Sequence, residues 1–127
     1  MEQEQKKKIL IVEDDVFMGS LLERKFRQEN LEIQRATSAD QARDIVKTGS
    51  VSLVLLDIIL PGTDGITFLK ELKTNPESKN IPVIITSNLG QPEEIERGLQ
   101  EGASGYVVKA HTSPSEIVEK VKEVLGK

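Results

Sequence analysis

The sequence predicts a doubly wound α/β fold, a five-stranded parallel sheet in the order 2-1-3-4-5 with helices on both faces. Three observations predict it. Short apolar runs rich in β-branched residues alternate with helix-period segments from end to end. The third run, Val51 to Leu56, is the most apolar, as strands covered by helices on both faces are. A chain of 127 residues holds five strand–helix units, whereas an eight-unit barrel needs about 200 residues or more. Strict alternation then implies parallel strands, right-handed crossovers and ligands at the carboxyl ends of the strands.

The elements follow in order. Ile9 to Val12 is the first strand, and Met18, Leu21, Leu22, Lys25 and Phe26 form a helical stripe with the lysine stem at its edge. Ile33 to Ala36 is the second strand. Ser38 caps a helix carrying Ala39, Ala42, Ile45 and Val46, which Gly49 closes. The third strand ends on Asp57; Pro61, Gly62, Asp64 and Gly65 turn the chain into a helix marked by Ile66, Leu69 and Leu72. A loop through Asn75, Pro76, Ser78, Lys79 and Asn80 leads to the fourth strand, Val83 to Thr86. Pro92, Glu93 and Glu94 suit the first turn of a fourth helix. That helix reads as weak, because Gly98 costs it about 1 kcal/mol and its stripe is little more than Ile95 and Leu99. Tyr106 to Val108 is the fifth strand, and Ser113 and Pro114 open a last helix with Ile117, Val118, Val121, Val124 and Leu125 on one face.

Composition narrows the function. Lys plus Arg number 17 against 21 for Asp plus Glu, a formal charge of -4, so direct nucleic-acid binding is not expected. No cysteine is present, which excludes disulfides, thiolate metal sites and cysteine nucleophiles together. No apolar run approaches the roughly 18 residues of a membrane span, and Met1 to Lys8 lacks the apolar core of a signal peptide. Residues 1–7 read as a flexible tail, residues 8–127 as one folded domain, and the expected location is cytoplasmic.

The strand ends carry the chemistry. Glu13, Asp14 and Asp15 follow the first strand, Asp57 ends the third, Thr86 and Ser87 end the fourth, and Lys109 follows the fifth. In the expected order, strands one, three and four are neighbours, so these groups converge. Gathered carboxylates repel unless a cation neutralises them or one stays protonated. All-oxygen ligands with open positions suit magnesium, with manganese as an alternative ion. Metal, ammonium and hydroxyl together suit the three oxygens of a phosphoryl group on a carboxylate. Asp15 sits where a helix N-cap is wanted, and Thr86 and Ser87 compete for one role because adjacent strand residues face opposite sides.

Four segments, in order, resemble the bacterial response-regulator receiver family: Ile9 to Asp15, Asp57 to Gly65, Pro82 to Ser87, and Gly102-Ala103 through Tyr106 to Lys109. The resemblance spans about residues 8–125 and implies a flavodoxin-like receiver fold, either acting alone, as chemotaxis receivers do, or forming one part of a longer protein. It implies Asp57 as phosphoacceptor, Glu13 and Asp14 as the acidic pair, and metal contacts from Asp14, Asp57 and the Ile59 backbone carbonyl, with Glu13 acting through water. It implies Ser87 as the phosphate-sensing hydroxyl, Lys109 as the phosphate-binding lysine and Tyr106 as the switch aromatic. The donor would be a histidine kinase or histidine phosphotransfer protein. Signal would leave through the fourth helix, fifth strand and fifth helix to a downstream protein, the chain being a monomer or a weak dimer through that face. Such a domain catalyses its own phosphorylation and dephosphorylation without turning over an external substrate.

Two departures stand out. Ala110 follows Lys109 where the family has proline after a cis bond, so either isomer is open there. Asn88 stands where the family favours a small residue, and with Ile59 and Leu89 it overhangs the path to the phosphoryl group. Other functions fit the same residues less well. A flavin or nucleotide binder needs a Gly/Ser/Thr-rich phosphate loop, and three acids stand there instead. An aspartyl phosphatase needs an acid at position 59, which is Ile. The remaining alternative is a degenerate receiver that binds proteins without being phosphorylated.

Overall fold

A computed structural model describes residues 6–126; residues 1–5, most of the expected tail, lie outside the described residues. The elements run β1 (Lys8–Val12), α1 (Val16–Arg27), β2 (Glu32–Ala36), α2 (Ala39–Lys47), β3 (Leu53–Asp57) and α3 (Gly65–Thr74). They continue with β4 (Val83–Ser87), α4 (Pro92–Gln100), β5 (Gly105–Val108), a one-turn 3-10 helix (Lys109–His111) and α5 (Pro114–Leu125). All strand pairs are parallel and the order is β2-β1-β3-β4-β5, as the alternation predicts.

Strand periodicity splits the core in two. Leu10, Val12, Val54, Leu56 and Ile85 join Phe68, Leu69 and Leu72 of α3 on one face. Ile9, Ile11, Leu53, Leu55 and Ile84 join Leu22 and Phe26 of α1 and Ile117, Val118 and Val121 of α5 on the other. β3 is buried at every position, which explains its apolar run. Its first turn differs from the reading, because Val51 and Ser52 stand outside the strand. Ser52 serves as its entry lock: its N–H donates to the Lys8 carbonyl (2.8 Å) and its Oγ accepts from the Lys8 N–H (3.1 Å).

Side chains near the helix ends stop the frame from fraying. Asp15, Ser38, Asp64 and Ser113 each accept a backbone N–H from the first turn of α1, α2, α3 and α5. Glu94 accepts from the Gln91 N–H at the start of α4, and Gly126 closes α5 in the left-handed region. Arg35 of β2 lies across α1, donating to Ser20 Oγ (3.1 Å), Glu23 Oε1 (3.5 Å) and the Val16 carbonyl (3.4 Å). Gly19 makes room, since a Cβ there would lie 2.8 Å from the guanidinium. α4 departs from expectation. Its Leu99 is 45% exposed rather than core-facing, and the residue it buries is Gly98.

Candidate functional site at the carboxyl ends of the strands

Parallel strands place Glu13, Asp57, Ser87 and Lys109 at the same end of the sheet. Asp57 ends β3 and pairs in register with Thr86; Ser87 ends β4 and pairs with Val108. By parity Thr86 shares the face of Ile84, while Ser87 shares that of Ile85 and Tyr106. Ser87 is fully buried, and its Oγ accepts the Leu89 N–H at 3.1 Å.

Carboxylate oxygens of Glu13, Asp14 and Asp57 lie within 4.8 Å of one another. Glu13 and Asp57 are buried and Asp14 faces solvent. Asp15 is turned away as the α1 cap, its Oδ1 accepting the Met18 N–H at 3.2 Å. Lys109 reaches into the cluster with its side chain only 12% exposed, donating to Glu13 Oε1 at 2.5 Å and Asp57 Oδ2 at 3.0 Å. The Ile59 N–H holds the other Asp57 oxygen, Oδ1, at 3.1 Å. These contacts answer the repulsion expected of gathered acids: one ammonium bridges the two buried carboxylates.

The electrostatics follow from burial. Desolvation pushes Glu13 above its ordinary carboxyl value against the pull of Lys109, and the charge of Asp57 adds to the rise. Burial opposes the charge on Lys109, but hydrogen bonds to Glu13 and Asp57, with their charges, outweigh it and raise the ammonium above the ordinary lysine value. Lys109 is thus held as a cation. Three carboxylates and one ammonium leave two formal negative charges, and the donors are hard oxygens with one acid open to solvent. This set fits a divalent cation that keeps several waters, as magnesium does.

Beyond the acids the loops behave differently. Ile59 is 59% exposed and Leu89 36%, so both stand outside the core, and Asn88 is exposed between Ser87 and Leu89. Tyr106, half-buried, donates its hydroxyl to the Leu89 carbonyl, and burial raises its phenol above the ordinary tyrosine value. No cis peptide bond occurs among the described residues, so the Lys109–Ala110 bond is trans and opens the 3-10 turn.

Two glycines, which the sequence marks only as a turn residue and as a weak point of the fourth helix, pack closely against the sheet. A Cβ at Gly65 would lie 2.5 Å from both the Asp57 carbonyl oxygen and Ile58 Cα, so α3 starts against the backbone of the acceptor strand. At Gly98 the near neighbours are side chains instead, Ile85 Cδ1 at 2.6 Å and Tyr106 Cδ2 at 3.2 Å from where a Cβ would lie. A glycine inside a helical pattern is the available sign of such a contact.

A doubly wound parallel sheet whose strand ends gather three carboxylates, a buried hydroxyl and a lysine defines an α/β domain with an acidic pocket at its carboxyl edge. The chain belongs to the response regulator receiver domain family, which matches residues 9–122. It is a receiver domain of the two-component response regulators, a family that accepts phosphoryl groups in signal transduction. It is 34% identical over 118 residues to the phosphate regulon transcriptional regulatory protein PhoB of Rhizobium meliloti, covering 93% of this chain and 52% of that protein. The chain spans about half the length of the curated relatives it matches. Among solved structures it resembles the BeF3-activated N-terminal receiver domain of Klebsiella pneumoniae RstA (28% identity, TM-score 0.86, covering 95% of this chain and 100% of that one). It also resembles the Francisella response regulator 1452 receiver domain (27% identity, TM-score 0.88, covering 95% and 98%). No helix among the described residues is long and apolar enough to cross a membrane.

Proposed function

We propose that Asp57 accepts a phosphoryl group from a phosphohistidine in a histidine kinase or phosphotransfer protein, in a magnesium-dependent reaction. The observation that carries this reading is the Lys109 ammonium lodged between Glu13 and Asp57. A carboxylate oxygen of Asp57 attacks phosphorus, the P–N bond breaks, and its electron pair returns to the donor imidazole. The product is an acyl phosphate. Lys109 would pair with the added charge, and Ser87 would donate its hydroxyl to a phosphoryl oxygen once it releases the Leu89 N–H. Glu13, Asp14, Asp57 and the Ile59 carbonyl would hold the metal, which when bound neutralises phosphoryl charge. Manganese offers the same oxygen chemistry.

The receiver unit is taken as residues 8–127. Its output would run through Ser87 and Tyr106 to the face of α4, β5 and α5, where a downstream protein or a second copy docks. Relatives such as PhoB are described as transcriptional regulators; for this chain the target is defined only as a protein contact.

Acetyl phosphate or a phosphorylated histidine protein, with and without magnesium, provides the test. Wild type should be labelled in magnesium, and Asp57→Asn should stay folded and unlabelled. Undiminished labelling of Asp57→Asn, or of wild type in chelator, overturns the assignment. A folded wild type that takes no label from any donor favours the binding-module reading instead.

A further inference from the structure

Gly98 faces the sheet from the last turn of α4. A Cβ built on it would lie 2.6 Å from Ile85 Cδ1 and 3.2 Å from Tyr106 Cδ2. The first distance is closer than side-chain carbons approach without something shifting, and the second is tight. Ile85 and Tyr106 are register partners on β4 and β5. The space that a side chain at 98 would occupy is therefore filled from two strands at once. Helix propensity disfavours glycine at this position, so packing is the reason for it here.

The ring that fills this notch is tied to the pocket. The Tyr106 hydroxyl donates to the Leu89 carbonyl, and the Leu89 N–H donates to Ser87 Oγ at 3.1 Å. Leu89 lies in the short turn between Ser87 and the start of α4. Helix, ring, turn and hydroxyl form a closed circuit.

We propose that Gly98 is a positioning residue whose missing side chain forms the seat for the Tyr106 ring and so fixes the Leu89 carbonyl and the turn beside Ser87. A methyl group at 98 pushes the Ile85 Cδ1 end aside and presses on the Tyr106 ring, which must give by a few tenths of an ångström, and that shift loosens the Tyr106–Leu89 bond. The seat itself is a matter of packing in the unphosphorylated chain. Its consequence for signalling rests on the reading of Tyr106 and Ser87 given above.

The test needs neither metal nor phosphoryl group, so its failure is distinguishable from failure of that reading. The chain has one tyrosine and no tryptophan, so phenolate absorbance during a pH titration reports Tyr106 alone. In Gly98→Ala the midpoint should shift down toward that of free tyrosine. The melting temperature should fall even though alanine is the better helix former. Ile85→Val removes the Cδ1 atom, so the double variant should regain much of both values. Leu99→Ala, on the exposed side of the same helix, should leave the midpoint where it was. A Gly98→Ala protein with wild-type midpoint and melting overturns the proposal, as does a double variant no closer to wild type than the single one.

Discussion

Lys109 Nζ lies 3.0 Å from Asp57 Oδ2, and the same ammonium also holds Glu13. Removing that cation leaves two buried carboxylates without a countercharge, each keeping only a backbone N–H donor. Lys109→Met should destabilise the fold by on the order of 3 kcal/mol at neutral pH, the low end for a broken buried pair because the pocket opens to solvent beside Asp14. Magnesium should restore part of the loss by supplying positive charge to the same oxygens. Urea unfolding with and without magnesium measures both. A variant as stable as wild type would mean the acids find neutralisation elsewhere.

Glu13 gives a pH dependence whose sign is fixed by its surroundings. Burial, outweighing the pull of Lys109, holds its folded value above the ordinary 4.5. The folded state therefore keeps a proton that the unfolded state releases, and stability from this group is full below 4.5 and lost as pH rises through the raised value. Wild type should lose stability relative to Glu13→Gln across that window and level off above it. Unfolding free energies of both proteins at closely spaced pH values check the slope; one of opposite sign refutes it.

Gly65 has no room for a methyl group against the backbone of Asp57 and Ile58. Backbone atoms cannot rotate away as a flexible side chain does. Gly65→Ala should cost about 1–3 kcal/mol or more by overpacking and should slow labelling of Asp57 by disturbing the turn that presents it. Unfolding and acetyl phosphate kinetics on one preparation separate the two effects.

The phosphoryl group on Asp57 should be long-lived. Its loss needs a water in line with phosphorus, and the exposed side chains nearest that path, Ile59 and Leu89, cannot orient one. Asn88, between Ser87 and Leu89, adds bulk. Ile59→Asn and Leu89→Gln should each hasten decay, on the order of tenfold where the amide reaches the water. The decay of labelled Asp57 in magnesium buffer decides it. Rapid decay in wild type, unchanged by either substitution, refutes the expectation.

Much of this arrangement is legible in the sequence because it is local. The apolar run of β3, the caps at Ser38 and Ser113, and the acids after β1 announce themselves through period and spacing. Asp15 is separable from Glu13 and Asp14 because an N-cap position has its own chemistry. What escapes is contact between elements distant in the chain. Nothing in the spacing of α1 shows that Arg35 will cross it at Gly19, and nothing in α4 shows that Leu99 will face outward while Gly98 faces the sheet. Such facts depend on how far apart two backbones settle, and helical periodicity carries no information on that distance.

The two flanks of the pocket are mechanically unequal. On the β1–α1 side, Asp15 caps the helix and Arg35 fastens it to β2 through Ser20, Glu23 and the Val16 carbonyl. On the β4–α4 side, the helix rests on the sheet at Gly98 and holds Leu99 out in solvent. The first wall is pinned by side-chain hydrogen bonds between elements, the second by the packing of Gly98 on Ile85 and Tyr106. Packed groups can slide where bonded ones must break, so a load applied between Asp57 and Ser87 should displace the β4–α4 wall further.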